Sequence, residues 1–324
     1  MRDAHERTID YARISVTDRC NLRCVYCMPP EGVAKRRHED ILSYEDIVRV
    51  GRAFAGLGIR KIKITGGEPL VRRNVPELVG RLKTLPGIEC VTLTTNGAFF
   101  PAVAERFCDA GLDGVNISLD ALDPRLYKNL TRGGEVKNAL DGIDAAVRHG
   151  IPSVKINCVP IVGRNEADLV RIAGLARDRR LHVRFIEMMP LGRGAAFQPV
   201  GRGVLRDALQ DAYGTLEPMA GVLGNGPARY YSLPGFLGAI GFIGTLDHAI
   251  CGACNRVRLT ADGMLKTCLH MDGGLSLKPA LASGDDGVLD SAIAGAILRK
   301  PLRHEFGRKG GGCGERRHMS EIGG

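Results

Sequence analysis

Along the first two-thirds of the chain, short β-rich runs alternate with longer stretches whose apolar residues recur every three to four positions. Tyr11-Ala-Arg-Ile-Ser-Val-Thr, Lys61-Ile-Lys-Ile-Thr, Cys90-Val-Thr-Leu-Thr-Thr, Val115-Asn-Ile-Ser-Leu, Val154-Lys-Ile-Asn-Cys-Val and His182-Val-Arg-Phe-Ile-Glu read as strands. Between them lie helical patterns. Ser43 is placed to cap a helix with Ile47, Val50, Gly51, Phe54 and Leu57 on one face, and Asn165 to cap another with Leu169, Ile172 and Leu175. Such alternation implies a parallel sheet with right-handed crossovers. Six βα units are fewer than a closed eightfold barrel needs, so the pattern predicts an α/β fold, a partial (open) TIM-type βα barrel of about six βα units. Active residues then belong at the C-terminal ends of the strands. After about residue 190 glycine and proline become frequent and the alternation stops. A division into a core over residues 1–225 and a smaller region over 226–324 follows.

The 324 residues, 44% of them hydrophobic, suffice for a sizeable buried core. The chain opens without an apolar run, and its most apolar stretch, Gly235 to Leu246, is too short to span a bilayer. A cytoplasmic protein with no membrane partner is expected. There, ten cysteines point to metal or redox use and away from disulfides. The formal charge of +9 calls for an anionic partner. No block of five consecutive basic residues occurs, so spread-out charge fits a phosphate pocket at least as well as a nucleic-acid face.

Cys20, Cys24 and Cys27 stand on one short loop after the first predicted strand, so their thiols can converge on one metal centre. A zinc site is normally closed by four protein ligands, whereas three thiolates can hold a 4Fe-4S cluster with one iron left open. A zinc knuckle with a distant fourth ligand is the competing reading. Cys-x3-Cys-x2-Cys with Tyr26 before the last cysteine resembles the signature of the radical S-adenosylmethionine enzymes. So does Gly66-Gly67-Glu68-Pro69 after the second strand, where two glycines allow a turn open to positive φ and close approach of a ligand. The resemblance implies S-adenosylmethionine contacts at Tyr26, Gly67, Ser118 and Met189. On its own Met189 reads as a core methionine.

The later region carries Cys251, Cys254 and Cys268, a second set of three thiols. Zinc, closed by His248, His270 or Cys313, and iron–sulfur are both compatible with this spacing. Arg256 and Arg258, two apart on an extended segment, face one side and can grip an anion. Cys90, Cys108 and Cys158 read as small core residues, and Cys313, in the glycine-rich segment 310–314, has no assigned role. Cys-x2-Cys-x-Arg-x-Arg-Leu, the single Cys268, Asp18-Arg19-Cys20 and the terminal Ile-Gly-Gly together resemble the GTP-cyclising branch of the same family, which works in molybdenum cofactor biosynthesis.

That resemblance implies a lyase with two 4Fe-4S clusters, on Cys20, Cys24, Cys27 and on Cys251, Cys254, Cys268, the C-terminal iron–sulfur region covering the barrel mouth. A 5'-deoxyadenosyl radical would take hydrogen from C3' of GTP, and C3' would attack C8 to give 3',8-cyclo-7,8-dihydro-GTP. GTP contacts would fall on Arg13, Lys63, Thr94, Lys155, Asn255, Arg256 and Arg258. Several cations suit a triphosphate withdrawn from water. Arg13, Gly323 and Gly324 would take part in catalysis, the Gly-Gly tail entering the active-site channel to orient Arg13 or a neighbouring cation. Implied partners are a reducing electron donor, the enzyme that takes the product to precursor Z (cyclic pyranopterin monophosphate), and a second copy in a homodimer, without nucleic acid. A peptide- or RNA-modifying radical enzyme would share only the first cluster, and neither extra C-terminal cysteines nor an RNA-binding domain is visible. A zinc interaction module would need closed four-ligand sites.

Overall fold

The computed structural model describes residues 1–324 except 35, 221–222, 245–248, 305–314, 316 and 324. Among the described residues, twelve strands form one sheet. The first six are β1 (Tyr11–Ser15), β2 (Lys61–Thr65), β3 (Cys90–Thr95), β4 (Gly114–Ser118), β5 (Val154–Cys158) and β6 (His182–Ile186). They lie parallel in sequence order, as the alternation predicts. Helices α1 (Tyr44–Gly56), α2 (Val75–Lys83), α3 (Ala104–Asp109), α4 (Pro124–Thr131), α5 (Val136–Arg148) and α6 (Glu166–Gly174) connect them. After α7 (Arg202–Tyr213) come β7 (Glu217–Pro218), β8 (Arg229–Ser232), β9 (Ile240–Ile243), α8 (Ala249–Gly252), β10 (Arg256–Leu259), β11 (Met264–Lys266), β12 (Leu275–Ser276), α9 (Lys278–Ala282) and α10 (Asp286–Leu298). The sheet runs β12-β11-β10-β1-β2-β3-β4-β5-β6-β9-β8-β7.

The later strands extend both edges of this sheet. β9 joins parallel to β6 and β10 parallel to β1, while the hairpin-like pairs β10–β11 and β7–β8 are antiparallel. β7 and β8 lie on either side of residue 225, the expected boundary, and pair directly.

Strand residues alternate between two different environments. Ile14, Ile62, Ile64, Leu93, Ile117, Ile156 and Val183 are fully buried in the hydrophobic core. They share one core with α1 residues such as Ile47, Val50 and Phe54, each such side chain stabilising the fold by about 1.5–3 kcal/mol. The intervening residues, Arg13, Lys63, Thr92, Asn116, Asn157 and Arg184, line a cavity on the other face. A parallel strand packed on both faces would be nearly all apolar. This period of two instead makes one apolar face and one polar interior.

Ser43 caps α1 as expected: its Oγ accepts from the Asp46 amide while the Asp46 carboxylate accepts from the Ser43 amide. Asn165 does not cap α6 with its side chain. Its amide donates to the carbonyls of Asp120 and Val159, and its oxygen accepts from the Ile161 amide. Fully buried, it ties together the loops after β4 and β5. No helix of the described residues is long and apolar enough to cross a membrane.

Candidate active site

Cys20, Cys24 and Cys27 occupy the loop after β1 and line a cavity of about 730 Å³. Arginines hold the loop by its carbonyls: Arg23 from within donates to Cys20 and Leu22, while from outside Arg132 donates to Arg23 and Met28 and Arg193 to Val25. Gly66 and Gly67 are required by chain contact, since neither has a positive φ. A Cβ on Gly66 would stand 2.6 Å from the Thr17 carbonyl oxygen, and one on Gly67 2.4 Å from that of Arg19. The expectation of a left-handed turn is thereby corrected. The glycines let the β2 end lie against the cysteine loop, where the Gly67 and Glu68 amides donate to Thr17 and Arg19. Glu68 is buried and accepts from Thr95 Oγ1 and the amides of Leu70 and Asn96, fastening the next strand end.

Cys251, Cys254 and Cys268 line the same cavity. They lie at its other end, because Cys254 precedes β10, which runs parallel to β1, and Cys268 follows the antiparallel β11. The C-terminal region was expected over the barrel mouth. Its thiols stand at the N-terminal end of the strands, opposite the first three, while its tail reaches the C-terminal end. There Gly323, at φ +77°, would put a Cβ 3.2 Å from Ser15 and Thr65 side chains. Its carbonyl accepts from Arg258 at 2.6 Å. Arg36, paired with Asp18, Asp262 and Glu321, bridges that tail to the approach to Cys20.

Across the strand ladder, Arg258, Arg13 and Lys63 are direct neighbours on β10, β1 and β2. Lys155 on β5, Arg184 on β6, Arg256 and Lys300 add to the cationic lining. Like charges side by side on adjacent strands are unfavourable unless an anion joins them. Burial, then Arg184, Arg13 and Lys155, pushes the Lys63 ammonium well below its ordinary pKa. Burial and Arg184 lower Lys155 to about 8. Arg184 is itself held by the Asn157 side-chain oxygen. A polyanion would relieve this pressure.

Among the described residues, every one expected on the site lines the cavity except Asn255 and Gly323; Thr94, Tyr26, Gly67, Ser118 and Met189 are among those that do. Asn255 instead donates to Asp10 and to the Asn225 carbonyl, fixing the start of β10. Gly324, Cys313 and His248 lie outside the described residues. Sequence reasoning missed Arg184, Lys300 and His304, all lining residues, and His270, offered there as a possible zinc ligand, lines the cavity too. Arg184 carried a usable signal: Arg13, Lys63, Arg184 and Arg258 are each the third residue of their strands. Cys90 is corrected from core to cavity wall, where it accepts from Asn225. Cys158 is buried in the core, and half-buried Cys108 packs against it.

The donor set at each end of the cavity, three thiols, is that of an iron–sulfur cluster with one corner left open, whereas zinc would need a fourth protein ligand to close its shell. Burial, then the neighbouring thiol and Asp120, pushes Cys24 well up, and burial with Cys20 takes Cys27 to about 12. These thiols ionise only with a positive group among them.

A partial βα barrel with three thiols at its mouth and a glycine pair against them defines a radical S-adenosylmethionine enzyme. The Radical SAM superfamily profile matches residues 14–176, and Molybdenum Cofactor Synthesis C matches 181–306. GTP 3',8-cyclases of Syntrophomonas wolfei and Moorella thermoacetica are 45% and 44% identical, each over 100% of both chains. The chain belongs to the GTP 3',8-cyclase family within the radical SAM superfamily. Among solved structures, Streptococcus suis SuiB bound to S-adenosylmethionine shares the fold, with a TM-score of 0.61 and 13% identity over 81% of this chain and 61% of that one.

Proposed function

We propose that the chain cyclises GTP in molybdenum cofactor biosynthesis, taking hydrogen from C3' and joining that carbon to C8 to give 3',8-cyclo-7,8-dihydro-GTP. One observation carries this reading: a single cavity has three thiols at each end and a cationic wall along the strands joining them. The wall fits a triphosphate, and the opposed ends separate a radical source from a substrate anchor.

When bound on Cys20, Cys24 and Cys27, a 4Fe-4S cluster supplies the electron that splits S-adenosylmethionine into methionine and the hydrogen-abstracting 5'-deoxyadenosyl radical. Tyr26, Gly67, Ser118 and Met189 hold S-adenosylmethionine, with the Tyr26 hydroxyl fixed by a 2.6 Å bond to Asp120. Cys251, Cys254 and Cys268 would hold a second 4Fe-4S cluster, which would supply an open iron to anchor the substrate. Arg13, Lys63, Lys155, Arg184, Arg256 and Arg258 bind the phosphates, and Thr94 lines the same wall. Asn255 acts from behind by seating β10. The Gly323 carbonyl aims Arg258 beside Arg13, which is the catalytic part given to the Gly323–Gly324 tail. An external reductant completes the reaction with one electron, and a separate enzyme converts the product to precursor Z. Residues 1–225 form the radical core and 226–324 the substrate end, in a cytoplasmic homodimer.

Anaerobic reconstitution, iron and sulfide counting and product analysis test this. The expected result is about eight irons per chain and GTP-dependent 5'-deoxyadenosine formation with C3'–C8 coupling. GTP-independent cleavage with no cyclised product would overturn it.

A further inference from the structure

Two buried cations stand behind the second set of thiols, and the reaction as described uses neither. Arg7 belongs to an N-terminal hairpin closed by the Arg2–Thr8 bridge. Its guanidinium pairs with buried Asp3 and donates to the carbonyls of Cys251 at 2.9 Å, Leu302 at 2.9 Å and Pro301 at 2.7 Å. Lys300, 3% exposed, donates to the carbonyls of Arg256 and Thr267 and meets the Cys254 thiol. Thr267 directly precedes Cys268. Each thiol of the set is thus fastened, at its own residue or the one before it, by Arg7 or Lys300, and segment 300–302 joins the two cations.

Their electrical roles differ. Arg7 is neutralised by Asp3, so what it adds is its planar fork, held in place by a carboxylate. Lys300 meets two carbonyls and a thiol, and no carboxylate among the described residues. Its full charge is directed at the thiols. Burying a cation on carbonyls and a thiol is unfavourable unless a negative group completes the set, and a cluster on three thiolates is such a group.

We infer that Arg7 and Lys300 are positioning residues for the centre on Cys251, Cys254 and Cys268: Arg7 sets the geometry that lets it assemble, and Lys300 raises its reduction potential. This rests on the proposed second cluster. Atoms of the first set are not touched by either residue, so the first centre should be indifferent to both.

The test uses the full chain, reconstituted anaerobically, with Arg7→Ala, Arg7→Lys, Lys300→Met and Lys300→Arg. Arg7→Ala should lose about half the iron yet retain the electron paramagnetic resonance signal of the first centre and 5'-deoxyadenosine formation. Arg7→Lys, which keeps the charge without the fork, should recover only part of that iron. Lys300→Met should keep the iron, shift the second centre's reduction potential to more negative values and alter its resonance signal, and Lys300→Arg should restore both. Circular dichroism of the metal-free variants separates loss of a centre from loss of fold. Full iron in Arg7→Ala together with an unmoved potential in Lys300→Met would overturn the inference while leaving the second cluster standing. About four irons in the unaltered chain would overturn both.

Discussion

The two sets of thiols share a cavity and differ in their electrical surroundings. Around Cys20, Cys24 and Cys27 the carboxylates of Glu68 and Asp120, which burial raises to about 7 and about 6, oppose ionisation of the thiols, and Arg23 offsets them only in part at Cys20. Around Cys254 burial works the same way, but Lys300 and Arg256 outweigh it and bring the thiol down to about 7. The first end therefore resists added negative charge, whereas the second accepts it at Cys254, although burial still raises Cys251. A centre that must give an electron away belongs at the first, and one that only has to hold a substrate belongs at the second.

The comparison breaks most sharply at the thiols themselves. Cys24→Ala should reduce 5'-deoxyadenosine formation to below about one-hundredth of the unaltered rate, since even outer partners of a metal site are worth 10–100-fold. Chromatography of the quenched reaction reads it; normal output would show that the two ends are not specialised. Cys268→Ala should instead remove the cyclised product while leaving uncoupled cleavage and about half the iron. Equal loss of both products would erase the distinction.

The wall joining the ends gives smaller effects. Arg184→Met removes charge-assisted bonds worth about 1.5–3 kcal/mol, so GTP affinity should fall roughly 10- to 100-fold by calorimetry. Lys155 supplies a pH signature. Its folded pKa, about 8, lies below the ordinary 10.5, so between those values the unfolded chain holds more protons and ligand-free stability rises with pH. GTP binding has the opposite sign and should weaken above about pH 8. Melting curves and calorimetry across pH 7–10 check the pair of slopes. Asn165→Ala should have the smallest effect on chemistry, removing about 1–3 kcal/mol of stability while cleavage per folded molecule stays unchanged.

β1 to β6 were legible because each is a short β-rich run bounded by a turn, and every one lies within a residue or two of its predicted place. The strands β7 to β12 were not. They are two to four residues long. β10 reads Arg-Val-Arg-Leu, and what makes it a strand is β1, far away in sequence. Cysteine spacing disclosed both sets of thiols but not that they face each other from opposite ends, since direction comes from the register of β10. Gly66 and Gly67 were visible as glycines, while the reason for them, the Thr17–Arg19 backbone, is a tertiary fact.

The seating of β10 beside β1 also sets the order in which the molecule is completed. During synthesis the cysteine loop and the six strands that carry it emerge well before the segment that brings Arg256, Arg258 and the second thiols. That segment must close a long loop, with Asn255 on Asp10, before the pocket has its far wall. The end that makes a reactive species is thus built first, and the chamber that confines it is sealed last. A chain interrupted after β6 would have the igniter without the vessel, so fidelity of the chemistry depends on the last quarter of the polypeptide arriving.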